Sequence, residues 1–321
     1  MSHARITRRR FLNVLAGSAV MSLRPERPEK TVHEWTGTAL GADARIVLAG
    51  EATCTAPDAI EACLAEIGRL EEIFSLHSVD SELTRLNRQG IVDGASLDLR
   101  YVLHVCRTLH EWTDGLFDPT VQPLWELYAS WFARGGNREA PPAELVEDVR
   151  LRVGFRDVRI KGATVSLSPG CQLTLNGIAQ GYITDCVARL LRGRGWTNVL
   201  ADVGEVAAVG PPPSMRPFVV EVRENGQRLA CANVALATSA ASALLFSEAH
   251  ALGHIIDPRS GRASSQWQCV TVRHTSATIA DGLSTACALA TEDELRVIWT
   301  KATPATIWAT RPGGSIVHLE T

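Results

Sequence analysis

From Val32 the hydrophobic and polar positions read as a strand, a turn at Gly41-Ala42-Asp43 and a second strand over Arg45–Leu48, which predicts a hairpin. Asp58–Phe74 then places Ile60, Cys63, Leu64, Ile67, Leu70 and Ile73 at three-four spacing, the mark of an amphipathic helix. Leu97–Trp112 repeats that spacing and stops at Asp114-Gly115. One helix is expected after Pro119 and another after Pro141-Pro142, with a loop at Arg134-Gly135-Gly136-Asn137 between them. From Val158 onward the chain changes to short β-rich runs: Val158–Ile160, Thr164–Leu167, Gln172–Leu175, Asn198–Val203, Phe218–Val222, Val270–Arg273 and Thr306–Ala309. Two helices, Ile178–Leu191 and Thr278–Ala290, separate them. The pattern predicts an α+β fold, a single large domain of mixed β-sheets with packed helices over residues 31–321. Pro211-Pro212-Pro213 is read as a loop within that domain.

Composition narrows this only a little. With 321 residues, 45% hydrophobic and 21% charged, the chain can bury a sizeable core, which excludes disordered, collagen-like and coiled-coil classes. The formal net charge of -3 argues against a nucleic-acid binder. It divides unevenly: residues 1–30 hold seven basic and two acidic residues, so that segment is +5 and the remainder -8. Within it, Arg8-Arg9-Arg10-Phe11-Leu12 leads into the mildly apolar Val14–Leu23, the layout of a bacterial twin-arginine export signal. The expectation is a protein of the bacterial cell envelope, periplasmic, with membrane contact only through an uncleaved signal. No other stretch approaches the roughly 18 to 20 apolar residues of a membrane span. Eight cysteines lack the close spacing of a zinc knuckle or redox pair, and most sit in apolar surroundings, so they are expected as small buried hydrophobes.

Five stretches carry candidate chemistry. In TIADGLSTACALA, Asp281 and Thr285 are four apart, so a helix presents a carboxylate and a hydroxyl on one face, hard oxygen ligands suited to Mg²⁺. A helix-stabilising Asp and a Thr bonded to its own backbone account equally for this pair taken singly. In NGIAQGYITD, glycines 177 and 181 lead from a strand into a helix, a junction where backbone can approach an anion; a glycine-eased turn explains it as well. In HIIDPRSG, Asp-Pro and Ser-Gly are ordinary turn chemistry, yet His254 beside Asp257 and Arg259 suits acid-base work or phosphate contact. SLHSVDSELTRLN holds a capping Ser81, and in GLFDPTVQPL Asp118 or Thr120 can simply cap the following helix.

Taken together in this order, DSELTRLN, GLFDPTV, NGIAQGY with TD after it, GWTNVLADVG, LATS, HIIDPRSG and ADGLSTA resemble the ApbE family of flavin transferases, over roughly residues 32–310. That family moves FMN from FAD onto a threonine or serine of an acceptor redox protein. The resemblance implies that Asp281, Thr285 and the Gly177 carbonyl hold Mg²⁺ at the FAD pyrophosphate, with release of AMP. It implies that His254 serves as the general base or assists it, that Asp257 joins it as a catalytic residue, and that Asp257 and Arg259 orient the loop or the phosphates. His77, Asp118, Thr120, Asn176, Gly177, Gln180, Gly181 and Asp185 then fall along the nucleotide.

The chain departs from the family pattern at four places: His77 replaces a common aromatic, Gln180 the usual lysine of GIAKG, Gly204-Glu205 the usual Gly-Gly doublet, and Ala240 the usual glycine after LATS. Two other activities fit the same residues: an FAD pyrophosphatase, in which water replaces the acceptor hydroxyl, and an FAD-binding protein without chemistry. Self-modification is not expected, because Lys161-Gly162-Ala163-Thr164, the stretch nearest an acceptor signature, has its Asp157 out of register.

Overall fold

In a computed structural model of the chain, alternate residues of one sheet serve two cores. The structure describes residues 32–320 except 40–41, 51, 53, 134–138, 211–216, 241–242, 248–251 and 264–265. The expected export segment and the loops expected at 134–137 and 211–213 lie outside the described residues. Eight strands form the main sheet: β1 (Val32–Ala39), β2 (Ala42–Ala49), β3 (Asn198–Asp202), β4 (Val206–Val209), β5 (Val234–Ala240), β6 (Cys269–His274), β7 (Thr306–Thr310) and β8 (Ile316–Leu319). They lie side by side in chain order, and every neighbouring pair is antiparallel.

On one face Ile46, Leu48, Val199, Ala201, Ala235, Val270, Val272 and Ile307 join the large core beneath the helices. On the other, Val47, Leu200, Val206, Ala208, Leu236 and Trp308 pack under a hairpin of Phe218–Glu221 and Arg228–Cys231. Double coverage is why β3 and β4 are buried at every position. It also hid β4 and β5 from a period-two reading, since Val-Ala-Ala-Val and Val-Ala-Leu-Ala show no polar alternation.

The helices are α1 (Ala56–Phe74), α2 (Glu82–Gln89), α3 (Leu97–Trp112), α4 (Gln122–Ala133), α5 (Ala143–Arg150), α6 (Ala179–Gly193), α7 (Ala277–Leu289) and α8 (Glu292–Lys301). Thr55, Ser81, Ser96, Ser276 and Thr291 each cap a helix by accepting a first-turn amide. The α+β expectation, the first hairpin and the helices anticipated after Asp58, Leu97, Pro119 and Pro142 are all present. The strand expected at Gln172–Leu175 has no ladder partner. Instead the Asn87 side chain takes the role of a neighbouring strand, its Oδ1 accepting from the Leu173 amide at 2.7 Å and its Nδ2 donating to the Leu173 carbonyl at 2.8 Å. Helix α8 and strand β8 were not anticipated. All eight cysteines are unpaired thiols, and all but Cys54 are buried. Among the described residues, no helix is long and apolar enough to cross a membrane.

Candidate functional site

Helix α7 is almost entirely small or apolar residues, and it is buried nearly all round between α6 and strands β5 and β6. Its N-terminus is held by a residue of the neighbouring helix. Asp185 accepts from the Ala277 amide at 2.8 Å, the Thr278 amide at 3.0 Å, the Ser276 hydroxyl at 2.7 Å and the Thr278 hydroxyl at 2.6 Å. One turn further along, α6 and α7 touch backbone to backbone. A side chain at Gly181 would collide with the Ala277 carbonyl, and the Gly181 amide donates to Asp281 Oδ2 at 2.9 Å. These contacts set the position of Asp281 in the second turn of α7.

Asp281 opens onto a cavity of about 1130 Å³, counting its mouth. Nearly all the chemistry-bearing stretches converge there. His77, Asp118, Asn176, Gly177, Gln180, His254, Asp281 and Thr285 line it, with Thr174, Glu205, Thr238 and Ser239. Leu116, Phe117, Val121, Trp125, Ile255, Ile256 and Leu289 supply the apolar wall. A Cβ at Gly177 would stand 2.8 Å from the Thr285 hydroxyl, so the bare backbone lies directly against that oxygen. Ser239 Oγ lies 2.8 Å from Ser284 Oγ and 3.5 Å from Thr285 Oγ1. A carboxylate, hydroxyls and an uncovered backbone segment thus share one corner. This hard-oxygen set is what Mg²⁺ takes when substrate and water complete its shell. Among the described residues, no group of three or more His, Cys, Asp or Glu has metal-holding geometry.

The electrostatics of the cavity are one-sided. Asp118, Glu205 and Asp281 line it, and no lysine or arginine does among the described residues. Burial raises the Asp281 carboxyl above the ordinary range, against the opposing Gly181 amide. Burial, and after it the charge of Asp281, raises Glu205 well above its ordinary range. Gln180 is buried, and its Nε2 has no hydrogen-bond partner among the described residues. His254 is pushed below the ordinary imidazole range by burial. Its Nδ1 lies 3.1 Å from the Leu244 carbonyl, a bond that needs the proton on Nδ1 and leaves the Nε2 lone pair available.

Other candidates stand away from the lining. Thr120 is fully buried, donating to Asp118 Oδ1 at 2.5 Å and accepting from the Gly154 amide at 2.8 Å. Asp118 Oδ2 accepts the Phe155 amide at 3.0 Å, so this carboxylate knits its loop together at the cavity edge. Asp257 closes its turn, accepting the Arg259 amide at 2.8 Å. Arg259 is exposed and paired with Asp257 and with Glu294 at 2.8 Å. Asp185 and Gly181 work through the two helices, as above. Glu205, Thr238 and Ser239 were not singled out from sequence as site residues. The LATS and GWTNVLADVG matches contain or adjoin them, but a sheet register alone brings those strand ends beside α7.

The profile of the ApbE family matches residues 40–307. The chain is 30% identical over 248 residues to a FAD:protein FMN transferase of Vibrio cholerae, covering 68% of this chain and 71% of that protein. It is 24% identical over 299 residues to the FAD:protein FMN transferase of Chlamydia muridarum, covering 90% and 93%. Among solved structures, the ApbE protein of Thermotoga maritima superposes with a TM-score of 0.79 at 26% identity, over 90% of this chain and 97% of that one.

Proposed function

Since this chain belongs to the ApbE family, we propose that it is a FAD:protein FMN transferase that moves FMN from FAD onto a threonine or serine hydroxyl of an acceptor redox protein, releasing AMP. The observation that carries the reading is the one cavity that joins Asp281, Thr285, Gly177 and His254, with an apolar wall for a flavin ring. The basic segment around Arg8-Arg9 supports an exported enzyme of the cell envelope.

In this reading the acceptor oxygen attacks the FMN phosphorus, a new P–O bond forms, and the bond to the AMP oxygen breaks. The hydroxyl proton passes to Nε2 of His254, which is neutral because burial disfavours its charged form. Leu244 fixes the tautomer, so the lone pair is already available when the hydroxyl arrives. Asp281, Thr285 and the Gly177 carbonyl are the residues that would hold Mg²⁺. When bound, that ion neutralises charge on the phosphoanhydride oxygens. A cavity lined by three carboxylates and lacking lysine or arginine among its described residues supports this need, since it would otherwise repel a dianionic pyrophosphate. Leu116, Phe117 and Trp125 give that side of the cavity an apolar surface suited to the flavin ring.

The test is to incubate the purified protein with FAD, Mg²⁺ and a candidate acceptor domain, then follow AMP release and covalent flavin fluorescence on a denaturing gel. Fluorescence on the acceptor with equimolar AMP is expected. AMP without labelled acceptor would instead mean a pyrophosphatase, and bound FAD with neither product a storage protein.

A further inference from the structure

Three hydroxyls meet at the corner that Asp281 shares with Gly177. Ser239 reaches it from the end of β5, and Ser284 and Thr285 come from consecutive positions on α7. Ser239 Oγ lies 2.8 Å from Ser284 Oγ and 3.5 Å from Thr285 Oγ1, and Ser284 Oγ donates to the Asp281 carbonyl at 3.0 Å. Ser284 is fully buried, whereas Ser239 and Thr285 line the cavity. The proposed reaction uses Thr285 and leaves both serines without a role.

Counting protons fixes the direction of this row. Each hydroxyl has one proton to give and can accept as well. Ser284 commits its proton to the Asp281 carbonyl, so between the two serines Ser239 is the donor. With its own proton committed, Ser239 meets Thr285 only as an acceptor. A mid-helix threonine ordinarily gives its proton to the carbonyl four residues back. Here that carbonyl belongs to Asp281, and the helical ladder and Ser284 already occupy it. The row therefore runs from Thr285 to Ser239 to Ser284 to the Asp281 carbonyl. It draws the Thr285 proton toward β5 and leaves the Thr285 lone pairs for an electrophile. A Cβ at Gly177 would stand 2.8 Å from Thr285 Oγ1, and its absence keeps that side of the hydroxyl uncovered.

We propose that Ser239 is a positioning residue for the divalent cation: by accepting the Thr285 proton, it presents Thr285 to the cation as a lone-pair donor. The inference rests on the cation-dependent reading above, in which Thr285 is a ligand. It adds the hydroxyl row that decides which way that ligand faces. Losing a partner that orients a metal ligand typically weakens metal binding by about 10- to 100-fold. At 3.5 Å the contact between Ser239 and Thr285 is long for a hydroxyl pair, so the low end of that range applies.

Mn²⁺ titrated into the full chain with stoichiometric FAD and no acceptor, followed by loss of the free-ion electron paramagnetic resonance signal, tests it. Ser239→Ala is expected to bind Mn²⁺ about tenfold more weakly than wild type, with an unchanged Tm. Ser239→Thr, which restores the hydroxyl, should bind within about threefold of wild type. Ser284→Ala frees the Ser239 proton to point at Thr285, where it competes with the cation, and should weaken Mn²⁺ binding by about threefold or more. That variant decides the question alone should Ser239→Ala not fold. Binding by Ser239→Ala within about twofold of wild type, or a wild type that binds no Mn²⁺ in the presence of FAD, would overturn the inference. Weak binding by Ser239→Ala beside unaltered binding by Ser284→Ala would also overturn it, since Ser239 would then touch the cation itself. The two readings fail separately. Flavin transfer that requires Mg²⁺ alongside unaltered Mn²⁺ binding in both alanine variants removes only this inference. Mn²⁺ binding that depends on both serines, without any flavin transfer, removes only the proposed reaction.

Discussion

Asp185 is a nucleotide-binding candidate by sequence and a helix cap by structure, and replacing it separates the two roles. Its carboxylate receives two backbone amides and two hydroxyls at 2.6 to 3.0 Å, at the start of the helix that carries Asp281 and Thr285. Hydrogen bonds to a charged group contribute about 1.5 to 3 kcal/mol each, but four on one carboxylate do not add. The two hydroxyls can rotate toward other acceptors, whereas the amides of Ala277 and Thr278, both buried, cannot. Losing an N-terminal cap costs about 1 to 2 kcal/mol, and a stranded buried amide about 1 to 3 kcal/mol more. Asp185→Ala should therefore destabilise the protein by about 3 to 4 kcal/mol, a large share of the ~5 to 15 kcal/mol typical of a domain. For a chain of this size that lowers Tm by about 6 to 12 °C. Asp185→Asn keeps one acceptor oxygen, and should lose about half as much. Urea unfolding followed by circular dichroism gives the stability, and FAD titration of the folded variant gives the affinity. An Asp185→Ala protein with wild-type Tm and no FAD binding would refute the capping argument and put the carboxylate on the ligand.

Three further outcomes follow from the same geometry. Gly177→Ala places a methyl 2.8 Å from the Thr285 hydroxyl, so FAD-dependent AMP release should fall by about tenfold or more while Tm stays near wild type; an unimpaired rate would show that this corner is not used. Because the His254 imidazole is depressed by burial, its neutral, proton-accepting form persists to lower pH than a free imidazole. Activity should accordingly be lost as pH falls through a kcat/KM limb below the ordinary value of 6.5, and that limb should vanish in His254→Ala. A limb at or above 6.5 in the wild type would count against His254 as the base. Thr120→Val strands the Gly154 amide and one Asp118 contact, and should cost about 2 to 4 kcal/mol in urea unfolding, with FAD affinity in the folded protein changed far less than by Gly177→Ala.

What the amino-acid sequence determined by itself is the set of elements whose signals are local. Ser81 and the Asp114-Gly115 stop mark helix ends because caps and left-handed turns act over three or four residues. The α7 pair four residues apart was legible for the same reason: helical periodicity alone sets Asp281 and Thr285 on one face. What only the tertiary structure decided depends on who stands opposite whom. Asp185 and Arg259 carry the same charges in a ligand site as in a cap or an ion pair, and only the packing of α7 and α8 beside them shows the second use. Strands β4 and β5 gave no alternating pattern, because both faces of the sheet are covered. Yet their ends bring Glu205 and Ser239 to the cavity. The acidity of that cavity is likewise a sum over residues from Asp118 to Asp281, which no local pattern can report because Coulomb interactions in a buried space depend on distance and not on sequence separation.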